Sequence, residues 1–439
     1  MQEAAQIAAG APAEIGRTTV AKVGWRLLPF VLLLYVVAWL DRVNIGFAAL
    51  QMNQDLGFSS TVYGFGAGIF FAGYALCEIP SNLVLARVGA RLWIARIMIT
   101  WGLLSIAMMF VQGATSFYVL RFLLGAAEAG FLPGILFYLG NWFPAAERAR
   151  AVSWFMLAIP LSTVVGGPLA GFILELHGWH GLAGWQWLFL MEGAPAVLLG
   201  VVVLMYLTDT PEQAKWLAPE QRRWLSDRVA AEARAAQARH TMGLSKALLH
   251  PTVWQLALIL FAGQTASYGL TLWIPQIVKS LSGLGTFEVS MISALPYVVA
   301  SIGMIVIGTS SDRSGERLLH LAIPTALGGV AFIASAYLVS PVLGLMALAV
   351  AAVGNTSTRG PFWALPTRFL TGRVAAAGIA LINTVASIGG FVGPYAIGFL
   401  RDFTHSFAAG LVFLGVLMLI GAVAALMLRN APVLADPHT

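Results

Sequence analysis

Twelve apolar runs recur along this chain with short polar breaks between them, at about residues 27–50, 60–80, 92–112, 117–139, 150–174, 187–207, 253–278, 290–310, 319–338, 342–365, 375–399 and 407–428. A helix of about 20 apolar residues crosses a hydrocarbon core of roughly 30 Å. Inside that core every backbone N–H and C=O must find a partner within the chain, which for runs of this length means a helix. The expected fold is an all-α integral membrane protein with twelve transmembrane helices. Composition agrees, with 59% hydrophobic and 10% charged residues against about a quarter charged in soluble domains. The first 25 residues carry Glu3, Glu14, Arg17 and Lys22 and hold no compact apolar core with a cleavage site, so span 1 reads as an uncleaved anchor.

Lys and Arg precede span 1 (Arg17, Lys22, Arg26) and return in every second connection, at Arg87 and Arg91, Arg148 and Arg150, Arg313 and Arg317, Arg368 and Arg373. The positive-inside rule then puts both termini in the cytoplasm, with a bacterial-type inner membrane as the expected site. That bias accounts for the net charge of +6 without a nucleic-acid partner. Cys77 is the single cysteine, which excludes an intrachain disulfide and a thiolate metal site. No cofactor is expected, and the absence of a G-x-x-x-x-G-K-[ST] loop argues against ATP-driven work.

Two landmarks reveal an internal repeat. "NLVLARVGARL" after span 2 aligns with "GTSSDRSGERL" after span 8 through Arg87 and Arg313, Gly89 and Gly315, Arg91 and Arg317, while Gly167-Pro168 in span 5 matches Gly393-Pro394 in span 11. Both alignments are offset by 394 − 168 = 226 residues. The chain therefore divides into a cytoplasmic N-terminal segment (1–26), a six-helix half (27–207), a cytoplasmic linker (208–252), a second six-helix half (253–428) and a cytoplasmic tail (429–439). In the linker, Trp216, Leu217, Trp224 and Leu225 recur among charges at roughly helical spacing, as an amphipathic helix on the membrane face or the bundle requires. Pseudo-symmetric halves related by an axis along the membrane normal are a transporter architecture, with the substrate site near the midplane between them.

Ions are costly in a membrane, so intramembrane charges face a cavity or a partner and mark function. Asp41 and Arg42 lie in span 1, Arg121 and Glu128 in span 4, and Arg359 in span 10; Glu78 and Glu192 read as helix-end and loop contacts. Arg121 and Glu128, seven residues apart, share one helix face about 10 Å apart along the axis. Asp41 and Arg121 fall at about the same depth and are expected to be able to pair. Arginine stays charged, whereas burial can bring a carboxylate's titration toward neutrality. Protonating Asp41 or Glu128 would free a guanidinium for an anionic substrate, and bidentate recognition of carboxylates suits Arg42 and Arg121. The histidines sit in loops, tails or at a helix edge, so no histidine relay is expected. Arg359 is a second anion-binding arginine or a gate charge, and Tyr268 and Gln264 in span 7 are weaker site candidates. Gly166, Gly167, Pro168 and Gly171, with Gly389, Gly390, Gly393 and Pro394, read as mechanical packing residues.

The loop carrying Gly308, Asp312, Arg313, Gly315 and Arg317 resembles the G-x-x-x-D-R-x-G-R/K signature of the major facilitator superfamily, in which it serves gating. Arg87, Gly89 and Arg91 form its degenerate first-half copy, with Asn82 for the leading glycine and Ala86 for the aspartate. "LDRVN", "YALCEIPSNLVLARVGAR", "RFLLGAAEAGFLPG" running into "YLGNWFPAAERARA", and "GWQWLFLMEG" together resemble the anion:cation symporter family over nearly the whole chain. Its bacterial members include tartrate, phthalate, hydroxyphenylacetate and sugar-acid permeases. The resemblance assigns Arg42 to substrate binding and implies that Tyr74, Trp363 and Asn383 line the cavity. Trp39 stands where the family has a tyrosine and Gly360 where it has a serine, departures that favour a smaller or more aromatic carboxylate over a polyhydroxylated sugar acid.

These readings converge on a monomeric, proton-coupled importer of a small organic anion, tartrate-like or aromatic, working by alternating access within the lipid bilayer. Within transport the rivals are a proton-coupled exporter and a uniporter; a different class is a membrane sensor with a transporter-like fold. An enzyme would need a convergent catalytic cluster, and none shows.

Overall fold

The computed structural model describes residues 2–237, 250–366 and 372–428. Among them, twelve helical stretches are long and apolar enough to cross a membrane, one for each expected run. Spans 1 to 6 are Glu14–Asp55, Ser60–Val88, Ala90–Phe110, Ala114–Trp142, Ala145–Leu174 and Gly184–Tyr206. Spans 7 to 12 are Pro251–Ser282, Thr286–Ser314, Leu318–Ser335, Pro341–Ala364, Gly378–Thr404 and Ala408–Met427. The helix of span 1 begins at Gln2, so the segment before the first apolar run is helical, not a separate element. No strand occurs among the described residues.

Antiparallel succession puts the start of span 1, the 207–250 connection and the end of span 12 at one end of the bundle, the terminus end. The halves meet through spans 1 and 7, 2 and 11, and 5 and 8. Among the described residues, the side-chain contacts between these spans gather from mid-depth to the opposite end. There the Tyr63 hydroxyl donates to Leu272 O at 2.6 Å, and Asn53 donates to Gln276 at 3.4 Å. Phe65 packs edge-on against Phe391 and Tyr395, and Phe172 against Phe287. The Asp402 carboxylate of span 11 accepts from the first two backbone N–H groups of span 2, Ser60 at 3.0 Å and Thr61 at 2.7 Å. Those donors have no partner inside their own helix, so a side chain of one half caps a helix of the other. The end opposite the termini is sealed.

At the terminus end the linker leans on the first half. Its helix Pro219–Gln237 follows a turn that holds Trp216 and Leu217. Trp216 stacks on Trp142 at 5.4 Å, the Arg26 guanidinium lies over Trp216, and Trp224 rests on Gly16. Leu217 and Leu225 are buried. The amphipathic face is used against the bundle.

Removing the Asp402 cap should loosen the sealed end. Charge-assisted hydrogen bonds contribute about 1.5–3 kcal/mol each, so Asp402→Ala should raise the exposed fraction of that end about tenfold or more. Maleimide labelling of Val62→Cys in a Cys77→Ser background would read this; an unchanged labelling rate would mean that the cap does not hold the halves together.

Candidate functional site

Successive residues on a helix point about 100° apart, and this separates the two charges of span 1. Arg42 turns toward spans 2 and 4, where it forms an ion pair with Glu128. Both side chains are buried, at 10% and 2% exposure. The guanidinium lies 5.3 Å from the Tyr74 ring, 5.6 Å from Phe70 and 5.8 Å from Trp39, distances at which a ring face attracts a cation. Asp41 turns instead toward span 3, where one carboxylate oxygen accepts from Ser105 and from Asn44, the latter at 3.2 Å.

The expected pairing of Asp41 with Arg121 is not what forms. Arg121 donates to the carbonyls of Gly66 and Ala67, both at 3.3 Å, and its guanidinium stands 4.9 Å from the Phe70 ring. The carboxylate that meets a guanidinium is Glu128, and the guanidinium is Arg42. Equal depth was a sound inference, but depth does not fix azimuth. Glu192 also departs from expectation: it lies inside span 6 at 6% exposure, not at a helix end.

Glu128 owes its position to a break in span 4. The helix Ala114–Glu128 stops there, Ala129 is extended, Gly130 takes φ 87°, and a new helix runs Phe131–Trp142. Gly130 is needed twice over, since a Cβ would require a left-handed side chain and would meet Ser81 Oγ at 2.4 Å. The freed carbonyls are taken up: Ser81 donates to Ala129 O at 2.7 Å, and Arg96 to Ala127 O at 3.4 Å. Irregular backbone at this depth is tolerated where protein groups satisfy it. Close packing of spans 2 and 4 sets the rest, with Gly125 so near that an added Cβ would lie 1.9 Å from Phe70 O.

The repeat-related span 10 is also interrupted, between Pro341–Thr356 and Arg359–Ala364. Thr356, Ser357 and Thr358 each bond back to a carbonyl three or four residues earlier, a habit that bends helices. Arg359 opens the second piece and donates to Ser267 Oγ of span 7 at 3.2 Å. Among the described residues no carboxylate stands in ion-pair range of it. It lines a cavity in which Gln264, Thr325, Asn355 and Thr358 are set among the apolar Ile259, Leu260, Leu321 and Phe362.

Tyr268 links the two halves. Its ring lies 4.2 Å from Phe71 of span 2, and it is within electrostatic reach of Arg42. Tyr35 of span 1, which sequence reasoning missed because an aromatic in an apolar run carries no signal, is in reach of both Arg42 and Arg359. Tyr74, Trp39 and Tyr268 are thus gathered with Arg42. Trp363 packs on Phe362 and on an apolar cluster of the second half that includes Val253, Leu256 and Ile382. Asn383 is half-buried in span 11.

The signature loops lie at the terminus end. Arg317 pairs with Asp312 at 2.5 Å and donates to Ser311 at 3.0 Å, and Gly315 closes span 8 at φ 70°. Gly308 and Arg313 lie on the last turns of the same helix. In the other copy the Arg91 backbone N–H donates to Asp209 at 2.8 Å, and Gly89, at φ 94°, faces the same carboxylate just after Arg87. Glu316, outside the spans, is drawn both ways: partial burial would raise its pKa, but N–H groups of Leu319 and His320 and the His320 ring hold it below the ordinary carboxylate range.

Twelve spans in interlocked sixes, sealed at one end around a buried charge pair, define a membrane transporter rather than an enzyme. The Major Facilitator Superfamily profile matches residues 31–394. The chain belongs to that superfamily, in the anion:cation branch that its helix motifs resemble. It is 53% identical, over 95% of its own length and 93% of the relative's, to an Agrobacterium vitis protein named "Putative tartrate transporter". It is 45% identical, over 93% and 94%, to the "Quinolone resistance transporter" of Acinetobacter baumannii. It is 41% identical, over 92% and 94%, to the "Inner membrane transport protein RhmT" of Escherichia coli. In fold it resembles a bacterial homologue of the lysosomal transporter Spinster in an inward-facing, unoccupied conformation, with a TM-score of 0.77, 18% identity, and coverage of 95% and 99%. The xylose transporter XylE from E. coli superposes with a TM-score of 0.70 at 14% identity, covering 94% and 98%.

The tight seam between spans 2 and 4 makes a stability prediction. Gly125→Ala should cost about 1–3 kcal/mol by overpacking and lower the melting temperature in detergent. Gly140→Ala, where an added Cβ meets nothing within 4 Å, should leave it unchanged. Equal melting of both variants would show that spans 2 and 4 are not so closely seated.

Proposed function

We propose that this transporter imports a small organic carboxylate together with protons across a bacterial inner membrane, by alternating access. The observation that carries this reading is the charge arrangement between the halves. Arg42 is held by Glu128 inside an aromatic cage, while Arg359 of the second half has a hydroxyl partner and no carboxylate among the described residues. With the termini cytoplasmic, the sealed end is periplasmic and the conformation faces inward.

Protonation of Glu128 removes its charge and releases the Arg42 N–H fork, which then accepts a substrate carboxylate in the same place. Proton and anion thereby enter as a pair. Arg359 offers a second cation across the chamber, so a tartrate-like dicarboxylate can bridge the halves, and Trp39, Tyr74 and Tyr268 offer faces to an aromatic acid. Asp41 serves the proton route, Arg121 braces spans 2 and 4, and Trp363 and Asn383 extend the cavity wall. The two signature loops regulate closure of the cytoplasmic end. The tartrate-named relative supports transport of a hydroxy acid; the quinolone-resistance relative favours a second reading, proton-driven export of an aromatic carboxylate.

Two measurements in proteoliposomes test the scheme. Glu128→Gln should abolish accumulation driven by a pH gradient while sparing substrate exchange; full accumulation by the variant would remove Glu128 from coupling. Arg42→Lys keeps the charge but loses the fork, and should weaken carboxylate binding about tenfold to a hundredfold, given about 1.5–3 kcal/mol for a charge-assisted hydrogen bond. Unchanged affinity would place the anion site elsewhere. Gradient-driven efflux without uptake would favour the export reading.

A further inference from the structure

Span 6 contributes a carboxyl group that the scheme above does not use. Glu192 is 6% exposed and faces Asn44 and Asp41 of span 1. Asp41 is 1% exposed and Asn44 2%. No cation is in ion-pair range of either acid among the described residues. The charged groups acting on Asp41 from span 4 are Glu128 and Arg121, and span 3 supplies only the Ser105 hydroxyl. Residues 97–110 of span 3 and 158–174 of span 5 carry no ionisable side chain.

The hydrogen-bond inventory of this cluster is one donor short. The Asn44 amide N–H donates to Asp41 Oδ1, yet Asn44 Oδ1 and Glu192 Oε2 are both buried acceptors without a donor. Buried acceptors left without a donor are costly at this depth. A proton on Glu192 makes that carboxyl a donor within the cluster and removes its share of that cost. Two buried carboxylates linked by one amide, with no paired cation, also resist joint ionisation.

We propose that Glu192 and Asp41, joined through Asn44, form a proton-holding carboxyl pair beside span 1, on a face of that helix about 100° round from Arg42. This rests on the proton-coupled reading and adds a second station to it. Arg42 and Glu128 exchange partners with the substrate. Glu192 and Asp41 keep a proton where neither substrate nor the open vestibule reaches it. Glu192 acts as a positioning residue that sets the acidity at which Asp41 loads.

The test compares wild type with Glu192→Gln in proteoliposomes, measuring tartrate uptake against pH together with tartrate exchange at equilibrium. Gln keeps the shape and can still donate to Asn44, so exchange should persist and report a folded carrier. The midpoint of the uptake profile should move by about one pH unit toward acid, the scale on which two titrating groups count as coupled. Infrared difference spectra of the purified protein should lose one protonated-carboxyl band in the variant at neutral pH. An unmoved midpoint with that band intact would overturn the proposal, even where wild-type uptake follows the pH gradient. Wild-type tartrate uptake indifferent to the gradient, with the band still lost in Glu192→Gln, would instead remove the proton-coupled reading and leave the protonated Glu192 standing.

Discussion

A guanidinium that cannot shed its proton has been placed where water is scarce, and the Arg42–Glu128 pair is what makes that tenable. Breaking a buried pair by removing one partner typically costs about 3–5 kcal/mol, because an uncompensated charge remains. In the proposed scheme, substrate can therefore replace Glu128 beside Arg42 only if it brings a negative charge and Glu128 gives up its own. That constraint is stricter than affinity. Under that proposal it ties the charge of the cargo to the protonation of one side chain.

The backbone around the pair is arranged to allow the exchange. Glu128 ends its helix at a break that Gly130, Ser81 and Arg96 stabilise, so its carboxylate sits at a terminus and not on a continuous cylinder. Arg359 similarly opens the second piece of span 10, and spans 4 and 10 are repeat partners. Discontinuous helices near the midplane recur in transporters because a helix end can turn polar groups toward a site without exposing unsatisfied backbone to lipid. The Phe70 ring stands within cation–π distance of both Arg42 and Arg121.

Much of this was legible in the sequence, for identifiable reasons. Twelve spans follow from run length, because hydrocarbon thickness leaves a chain little choice, and the six-plus-six duplication follows from Gly-Pro and Arg-Gly-Arg landmarks at one offset. Asp41, Arg42, Arg121 and Glu128 stood out because charge is rare there. Who meets whom was not legible. Adjacent residues on span 1 diverge by about 100°, so Asp41 and Arg42 serve different neighbours, and rise alone could not choose between Arg121 and Arg42 as the carboxylate's partner. The break after Glu128 was masked by unbroken hydropathy across residues 117–139. Glu192 was misjudged because its position within a run was read as proximity to an end, whereas span 6 carries it into the bundle.

Sealing and charge pairing occupy the same helices, which is how one can govern the other. Span 1 carries Arg42 and, eleven residues on, Asn53 at the sealed end; span 2 carries Tyr74 in the cage and Ser60 and Thr61 under the Asp402 cap. Tyr268 of span 7 reaches the Arg42 cage, and Leu272, one turn further along, accepts from Tyr63 in the seal. A substrate that draws Tyr268 and Arg359 toward Arg42 must therefore tilt the same helices whose far ends form the seal. In the proposed alternating-access scheme these directional contacts have to break for that end to open. In that scheme, occupation of the central charge site selects between the closed and open arrangements.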